Sequence, residues 1–161
     1  MFQQLAAFDA VQTGYQQMGD GMLERHTAMQ WFERALQQGR MKRLMGGLIG
    51  AKRQLNTLAD MKERVLDQHY IGVQTVALKA IRGSENRTRE FDREFNPLAD
   101  FVEQRWVSVA SAQLKGVKLP PVELIKVGDS YYVRDGHHRI SVAQARGQYD
   151  IEAIVVEWVV D

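Results

Sequence analysis

The hydrophobic pattern changes near residue 70, and this change limits the fold of the 161-residue chain more than any other feature. Before it, apolar residues recur at helical spacings of three and four. After it, runs such as IGVQTVALKAI are rich in β-branched residues and end in clusters of turn-forming residues. We therefore predict an α-helical arm over residues 1–69 and an α+β domain over residues 70–161.

The arm is predicted to contain three helices separated at glycines. A break is expected at Gly19–Gly21, and the second helix should end near Gly39, because glycine is a common helix C-cap. The third helix has the most regular apolar pattern, formed by Leu44, Leu48, Ala51, Leu55, Leu58, Met61 and Val65. This pattern is close to a coiled-coil seam, which needs a partner helix. The partner is either another helix of the same chain or a second copy; a homodimer would form through Leu44, Leu48, Leu55 and Leu58.

The domain after the arm is predicted to combine a mixed sheet with short helices. Its first strand covers Val73–Ile81. A helix follows, with Asn96 as N-cap, Pro97 at its first position and Gly116 at its end. The buried face of this helix is predicted to consist of Phe101, Val102, Trp106 and Val109.

The remaining elements are a hairpin, a helix and a last strand. LPPVELIKV and SYYVRD form the hairpin, with Gly128 and Asp129 at its turn. The helix covers Ile140–Arg146 and is closed by Gly147, and IEAIVVEWVV is the last strand.

The sequence DGHHR, residues 135–139, lies between the hairpin and this helix. A helix amino terminus attracts anions, and Gly136 lets the backbone approach a ligand closely. Arg139 can bind a phosphate with two parallel hydrogen bonds, His137 or His138 can donate one more, and Ser141 adds a hydroxyl. A purely structural role is the alternative: Asp135 caps the helix and Arg139 pairs with an acid such as Glu157.

The stretch LPPVELIKVGDSYYVRDGHHRISVAQARGQYDIEAIVVEW resembles the amino-terminal domain of ParB and its relatives, the ParB/sulfiredoxin fold. In that family, a Pro-Val/Ile-x-Val strand, a turn and a Tyr-x-Val-x-Asp-Gly-His-His-Arg box lead into a short helix and another strand. The resemblance covers roughly residues 70–161 and implies a ParB/sulfiredoxin-like mixed sheet with short helices.

Members of this family bind CTP, ATP or ADP, with or without Mg²⁺, so the resemblance implies a phosphate-binding loop at residues 135–139. The contacts it implies are Gly136, His137, His138 and Arg139. Arg87, Arg89 and Arg93 add charge nearby, or instead pair with Glu90, Asp92 and Glu94.

The phosphate-binding box without a complete catalytic set favours a regulatory or partition-associated module over an enzyme. The alternative is a phosphotransferase, NTPase or nuclease in which Asp135 and His138 are catalytic. Sulfiredoxin chemistry is excluded, because the chain has no cysteine and His137 occupies the position where the resemblance places one. A metal shared by the adjacent histidines is disfavoured, since neighbouring side chains point in different directions.

The composition adds two expectations. The net charge of +1 gives no general argument for nucleic acid, so DNA binding would depend on a basic patch formed by Arg40, Lys42, Arg43, Lys52 and Arg53. The chain lacks cysteine, and its longest apolar run is far shorter than the ~20 residues that span a membrane. We therefore expect a cytoplasmic protein with no membrane contact.

Overall fold

A computed structural model gives the structure of the protein. It describes residues 2–49, 56–86 and 89–161, with side chains from residue 21 onward except 49, 60, 61 and 63. The first elements along the chain are α1 (Phe2–Ile49), β1 (Asn56–Thr57), β2 (Val65–Ala77), β3 (Ile81–Ser84) and α2 (Glu103–Leu114). The later elements are β4 (Val122–Val127), β5 (Ser130–Asp135), α3 (His137–Ala145) and β6 (Asp150–Val160). Short 3-10 helices cover Ala59–Arg64, Leu78–Ala80 and Asp100–Val102.

The strands form one six-stranded mixed sheet in the order β1-β3-β5-β4-β6-β2. The predicted hairpin of β4 and β5 is antiparallel, with Val127 opposite Ser130, and β6 returns parallel to β4 and antiparallel to β2. The predicted α+β architecture, a mixed sheet with short helices preceded by an amino-terminal helix, is confirmed.

Each face of the sheet has its own apolar core, because successive strand residues point to opposite faces. Leu124 packs in the larger core with Phe32 of α1 and Trp106 of α2, whose rings lie 5.6 Å apart. Ile125, the next residue, packs in the smaller core with Leu58. The sheet is therefore covered by helices on one face and by the segment before β2 on the other.

The prediction of helix breaks at Gly19–Gly21 and Gly39 is wrong, since α1 runs without interruption from Phe2 to Ile49. A glycine inside a helix costs only about 1 kcal/mol relative to alanine, so tertiary packing can override it. At Gly39 the packing is specific: a Cβ there would lie 2.6 Å from the Pro97 carbonyl oxygen. Gly39 thus allows α1 to approach the chain closely and does not end the helix.

The third predicted helix is also wrong beyond Ile49. Leu44 and Leu48 lie on α1 and are exposed, whereas Leu58 is fully buried against the sheet. Leu58 is therefore excluded from a homodimer seam, and Leu55 lies outside the described residues. Residues 56–69 contain β1, a 3-10 helix and the first part of β2, and Leu58 and Val65 of this segment pack in the smaller core of the sheet.

The start of α2 differs from the prediction. Asn96 does not cap it: the Asn96 side chain donates hydrogen bonds to the Asp92 carboxylate, and α2 begins at Glu103 after a 3-10 turn. Phe101, predicted to be buried, is 75% exposed as a result. Trp106 is buried as predicted, and Gly116 adopts the left-handed conformation expected after the helix end, with φ +73°.

Helix α3 begins at His137, three residues before the predicted Ile140, and ends just before Gly147 as predicted. The earlier start places both histidines inside the helix. Among the helices described, none combines the length and apolar character needed to cross a bilayer.

Candidate functional site

The junction loop, Asp135–Arg139, connects the middle of the sheet to α3. Gly136 adopts the left-handed conformation with φ +103°, and a Cβ there would lie 2.5 Å from the Val122 side chain. Glycine is therefore required both by the backbone conformation and by the close approach of β4. The predicted sharp turn between strand and helix is present.

The amino end of α3 follows this glycine. Gly136 is the N-cap residue, and no side chain caps the helix at this position. The helix macrodipole places about half a positive charge at this end. A negatively charged group is therefore favoured beside Gly136.

Arg139 is bound to three oxygen atoms in this structure. Its Nη1 donates to the carbonyl oxygens of Pro120 (2.5 Å) and Pro121 (2.8 Å), and its Nη2 donates to Asp135 Oδ2 (2.6 Å). The structural alternative that Arg139 pairs with an acid is therefore confirmed, although the partner is Asp135 and not Glu157, which accepts a hydrogen bond from Lys126. Asp135 remains 65% exposed, so its carboxylate can exchange Arg139 for solvent or another partner.

Two side chains predicted to contact phosphate lie inside the protein. His137 Nε2 is 2.6 Å from Ser84 Oγ, and the imidazole stacks on Phe91. Ser141 Oγ accepts a hydrogen bond from Trp106 Nε1 at 2.8 Å, and Ser141 is 1% exposed. The side chains of His137 and Ser141 therefore support the loop from within, while their backbone remains beside it.

The contact between Ser84 and His137 has the geometry of a nucleophile and a base. However, Ser84 is fully buried and His137 is 4% exposed. A substrate does not reach the Ser84 hydroxyl in this structure. His138 is also buried and packs edge-on against Phe91 at 5.4 Å.

A small cavity of about 110 Å³, here called the junction cavity, lies at the amino end of α3. It is lined by the junction loop together with Arg105 and Val109 of α2. Arg105 is exposed and forms no hydrogen bond or ion pair within the described part of the chain. The sequence prediction missed Arg105, because nothing local distinguishes it from other exposed helix residues.

A larger cleft of about 440 Å³, here called the proline cleft, lies on the other side of Arg139. Pro120, Pro121 and Val122 form one wall, and Leu119 and Ile151 add apolar surface. Gln113 and Gln148 contribute amide groups. Arg139 lines both the proline cleft and the junction cavity, so the two spaces share one guanidinium.

The other predicted basic residues are placed as follows. Arg87 lies outside the described residues, Arg89 is exposed, and Arg93 lines a cavity shared with Gln144 near the carboxyl end of α3.

In the basic patch predicted to bind DNA, Arg40 forms a salt bridge with Asp100 at 2.7 Å and Lys42 forms one with Glu94. Arg43 is exposed, and Lys52 and Arg53 lie outside the described residues. Two cations of the proposed DNA patch are therefore already paired within the chain.

One ion pair shifts the pKa values of its members, and it lies away from the junction. Lys126 Nζ donates to Glu157 Oε1 at 2.8 Å. This hydrogen bond lowers the pKa of Glu157 and raises the pKa of Lys126. Across residues 21–48, 56–86 and 89–161, the structure places no group of three or more His, Asp or Glu side chains to bind a metal ion.

No protein-family model and no curated protein matches the chain. Sulfiredoxin from Arabidopsis thaliana is a solved structure similar to it, with 24% identity over 52% of this chain and 82% of that one, at a TM-score of 0.35. A free serine kinase in complex with AMP has 20% identity over 54% of this chain and 32% of its own, at a TM-score of 0.36. A conserved hypothetical protein from Pyrococcus furiosus has 22% identity over 54% of this chain and 33% of its own, at a TM-score of 0.35. These likenesses are weak and carry no functional argument.

Proposed function

We propose that the protein binds a nucleotide, with the phosphates at the junction loop, and acts as a regulatory module. The observation that carries the proposal is that Arg105, Arg139 and the amino end of α3 all border the junction cavity. Guanidinium groups and helix amino termini are two of the strongest phosphate-binding features in proteins. The resemblance of the sequence to ParB/sulfiredoxin domains supports the same assignment and suggests CTP, ATP or ADP.

The proline cleft is the proposed location of the base and sugar. Its volume of about 440 Å³ lies within the range of small-molecule sites. Its apolar wall can contact a base, and its amide groups can donate and accept hydrogen bonds. Because Arg139 borders both spaces, a phosphate bound to it would connect the two parts of the ligand.

Asp135 has two roles in this proposal. In the structure its carboxylate satisfies Arg139, and an entering phosphate would take over that partner. The released carboxylate is exposed and could bind Mg²⁺ together with phosphate oxygens, as Mg²⁺ usually takes only one or two protein carboxylates. Since Asp135 is engaged by Arg139 and His138 is 8% exposed, binding rather than catalysis is the function that we favour.

Thermal unfolding with a panel of nucleotides tests the proposal. ATP, ADP, CTP, GTP and UTP are each added with and without Mg²⁺, and the expected result is a rise in Tm with at least one of them. A ligand at a hundred times its Kd stabilises the folded state by about 2.7 kcal/mol. A Tm that no nucleotide changes would contradict the proposal.

Arg105→Ala is the variant that separates binding from folding, because Arg105 is exposed and forms no hydrogen bond or ion pair within the described part of the chain. Loss of one charge-assisted contact should weaken nucleotide binding about tenfold. Arg43→Ala is the matched control, since it removes another exposed arginine far from the junction loop in sequence. Equal affinity of the Arg105→Ala protein and the wild type would remove Arg105 from the site.

A further inference from the structure

A second basic cavity lies at the other end of α3. This basic cleft has a volume of about 380 Å³ and is lined by parts of α1, β3, residues 93–96 and the end of α3. Its charged residues are Lys42, Lys79, Arg82, Arg93 and Glu94. Four basic side chains and one acidic side chain leave a formal charge of +3, whereas the whole chain carries +1. The lining of this cleft therefore has an excess of positive charge that the chain as a whole does not have.

The basic side chains of the cleft fall into two groups. Lys42 pairs with Glu94, and the Lys79 ammonium lies 5.7 Å from the centre of the Tyr149 ring. Arg82 and Arg93 are exposed, and neither forms a hydrogen bond or ion pair with any residue in the described segments. Their guanidinium groups are therefore the available donors of the cleft.

Both arginines are attached to well-fixed backbone. Arg82 lies in β3 at a β-bulge and has no pairing partner of its own, but its neighbours Ile81 and Gly83 pair with consecutive residues of β5. Arg93 lies in a turn held by the buried Asp92, whose Oδ1 accepts hydrogen bonds from the backbone N–H groups of Glu94 and Asn96, both at 2.9 Å. Rigid attachment lowers the entropy lost when a ligand is bound.

The negative end of the α3 dipole offsets only part of the positive charge of the cleft. Gln144 and Ala145, in the last turn of α3, line the cleft. A helix carboxyl terminus carries about half a negative charge, which a single cation can offset. The remaining basic side chains repel one another in a concave site, where the field is focused. A bound anion would remove this repulsion.

We propose that the basic cleft binds a small phosphorylated molecule with at least two negative charges, through Arg82 and Arg93. Arginine binds phosphate oxygens with two parallel hydrogen bonds, and the amides of Gln38 and Gln144 line the same cleft. Its volume suits a small ligand. From Gly136 to Gln144 the helix rises about 12 Å, so this site is separate from the junction loop.

Calorimetric titration with pyrophosphate tests this proposal. The titration uses Arg105→Ala protein, in which anion binding at the junction cavity is weakened by the loss of its unpaired arginine. Any pyrophosphate that still binds at the junction loop is unaffected by substitutions at Arg82 and Arg93, so a loss caused by those substitutions reports on the basic cleft alone. Adding Arg82→Ala and Arg93→Ala should weaken pyrophosphate binding about a hundredfold, as two charge-assisted contacts are lost. Arg82→Lys with Arg93→Lys keeps the charge but not the paired donors, and should weaken binding about tenfold.

Lys115→Ala with Lys118→Ala is the charge-matched control. Both lysines are exposed in the segment after α2, and neither lines the basic cleft. The control should bind pyrophosphate like its parent. Unchanged binding after removal of both arginines, or an equal loss in the lysine control, would overturn the proposal. The first outcome places the anion elsewhere, and the second shows a general charge effect.

Discussion

Gly136 is constrained by its backbone and by its neighbour. Its φ of +103° is unfavourable for residues with a Cβ, and the Val122 side chain occupies the space where that atom would lie. We predict that Gly136→Ala lowers the free energy of unfolding by about 2–5 kcal/mol, the sum of backbone strain and overpacking. Urea unfolding measures this change.

Gly147→Ala is the control for Gly136→Ala. Gly147 is also left-handed, with φ +69°, but no heavy atom lies within 4 Å of the position of its Cβ. Gly147→Ala should therefore lower the free energy of unfolding by the cost of backbone strain alone, about 1–2 kcal/mol. If both variants lose the same stability, the contact with Val122 contributes nothing.

The turn at Gly136 could be predicted from the sequence, because a strand pattern, a glycine and a helical pattern follow one another there. The directions of the side chains could not. His137 contacts Ser84 and Ser141 contacts Trp106, and both partners are distant in the sequence. Arg105 is brought to the junction cavity by the packing of α2 near α3, for which the sequence has no local signal.

Two glycines within α1 differ in their surroundings, although both lie inside a continuous helix. A Cβ at Gly39 would lie 2.6 Å from the Pro97 carbonyl oxygen, whereas a Cβ at Gly47 would have no heavy atom within 4 Å. We predict that Gly39→Ala lowers the free energy of unfolding by about 1–2 kcal/mol, because overpacking exceeds the gain in helix propensity. Gly47→Ala should raise it by about 1 kcal/mol through propensity alone.

Chemical unfolding of the two alanine variants under the same conditions measures both values. Opposite signs are the expected result. Stabilisation by Gly39→Ala would mean that α1 does not approach Pro97 closely in solution. The comparison also explains the wrong helix boundary, since a glycine that ends a helix and a glycine that permits packing look alike in a sequence.

The leucine pattern around residue 55 shows how an element can be mistaken when its partners are distant. Leu44, Leu48 and Leu58 continue one helical spacing, yet the first two lie on α1 and Leu58 packs under the sheet against Ile125. The spacing was compatible with both arrangements. The contact of Leu58 with β4 determines which arrangement forms, and a local sequence pattern cannot predict a contact with a residue so distant in the sequence.

At the scale of the whole molecule, the order of strands joins parts of the chain that are far apart. The hairpin of β4 and β5 could be predicted from its turn, whereas the pairing of β2 with β6 connects residues near 70 with residues near 155. The predicted domain division after residue 69 remains a proposal. Phe32 of α1 packs on Trp106 of α2, so the helix and the sheet share one core.

The ion pair of Lys126 and Glu157 connects two neighbouring parallel strands, and its contribution to stability depends on pH. The pKa of Glu157 is lowered by its hydrogen bond with Lys126, so the contribution is present above the unfolded pKa of about 4.3 and is lost as the pH falls through the folded value. The pKa of Lys126 is raised by Glu157, so the contribution is also lost when the pH rises through the raised value.

We predict that Glu157→Gln destabilises the protein at pH 7 and that this difference from the wild type shrinks at pH 3. Urea unfolding at the two pH values measures the change, with Glu123→Gln as control, since Glu123 lies on the neighbouring strand and forms no ion pair in the described part of the chain. A difference that is the same at both pH values would show that Glu157 acts through packing and not through its charge.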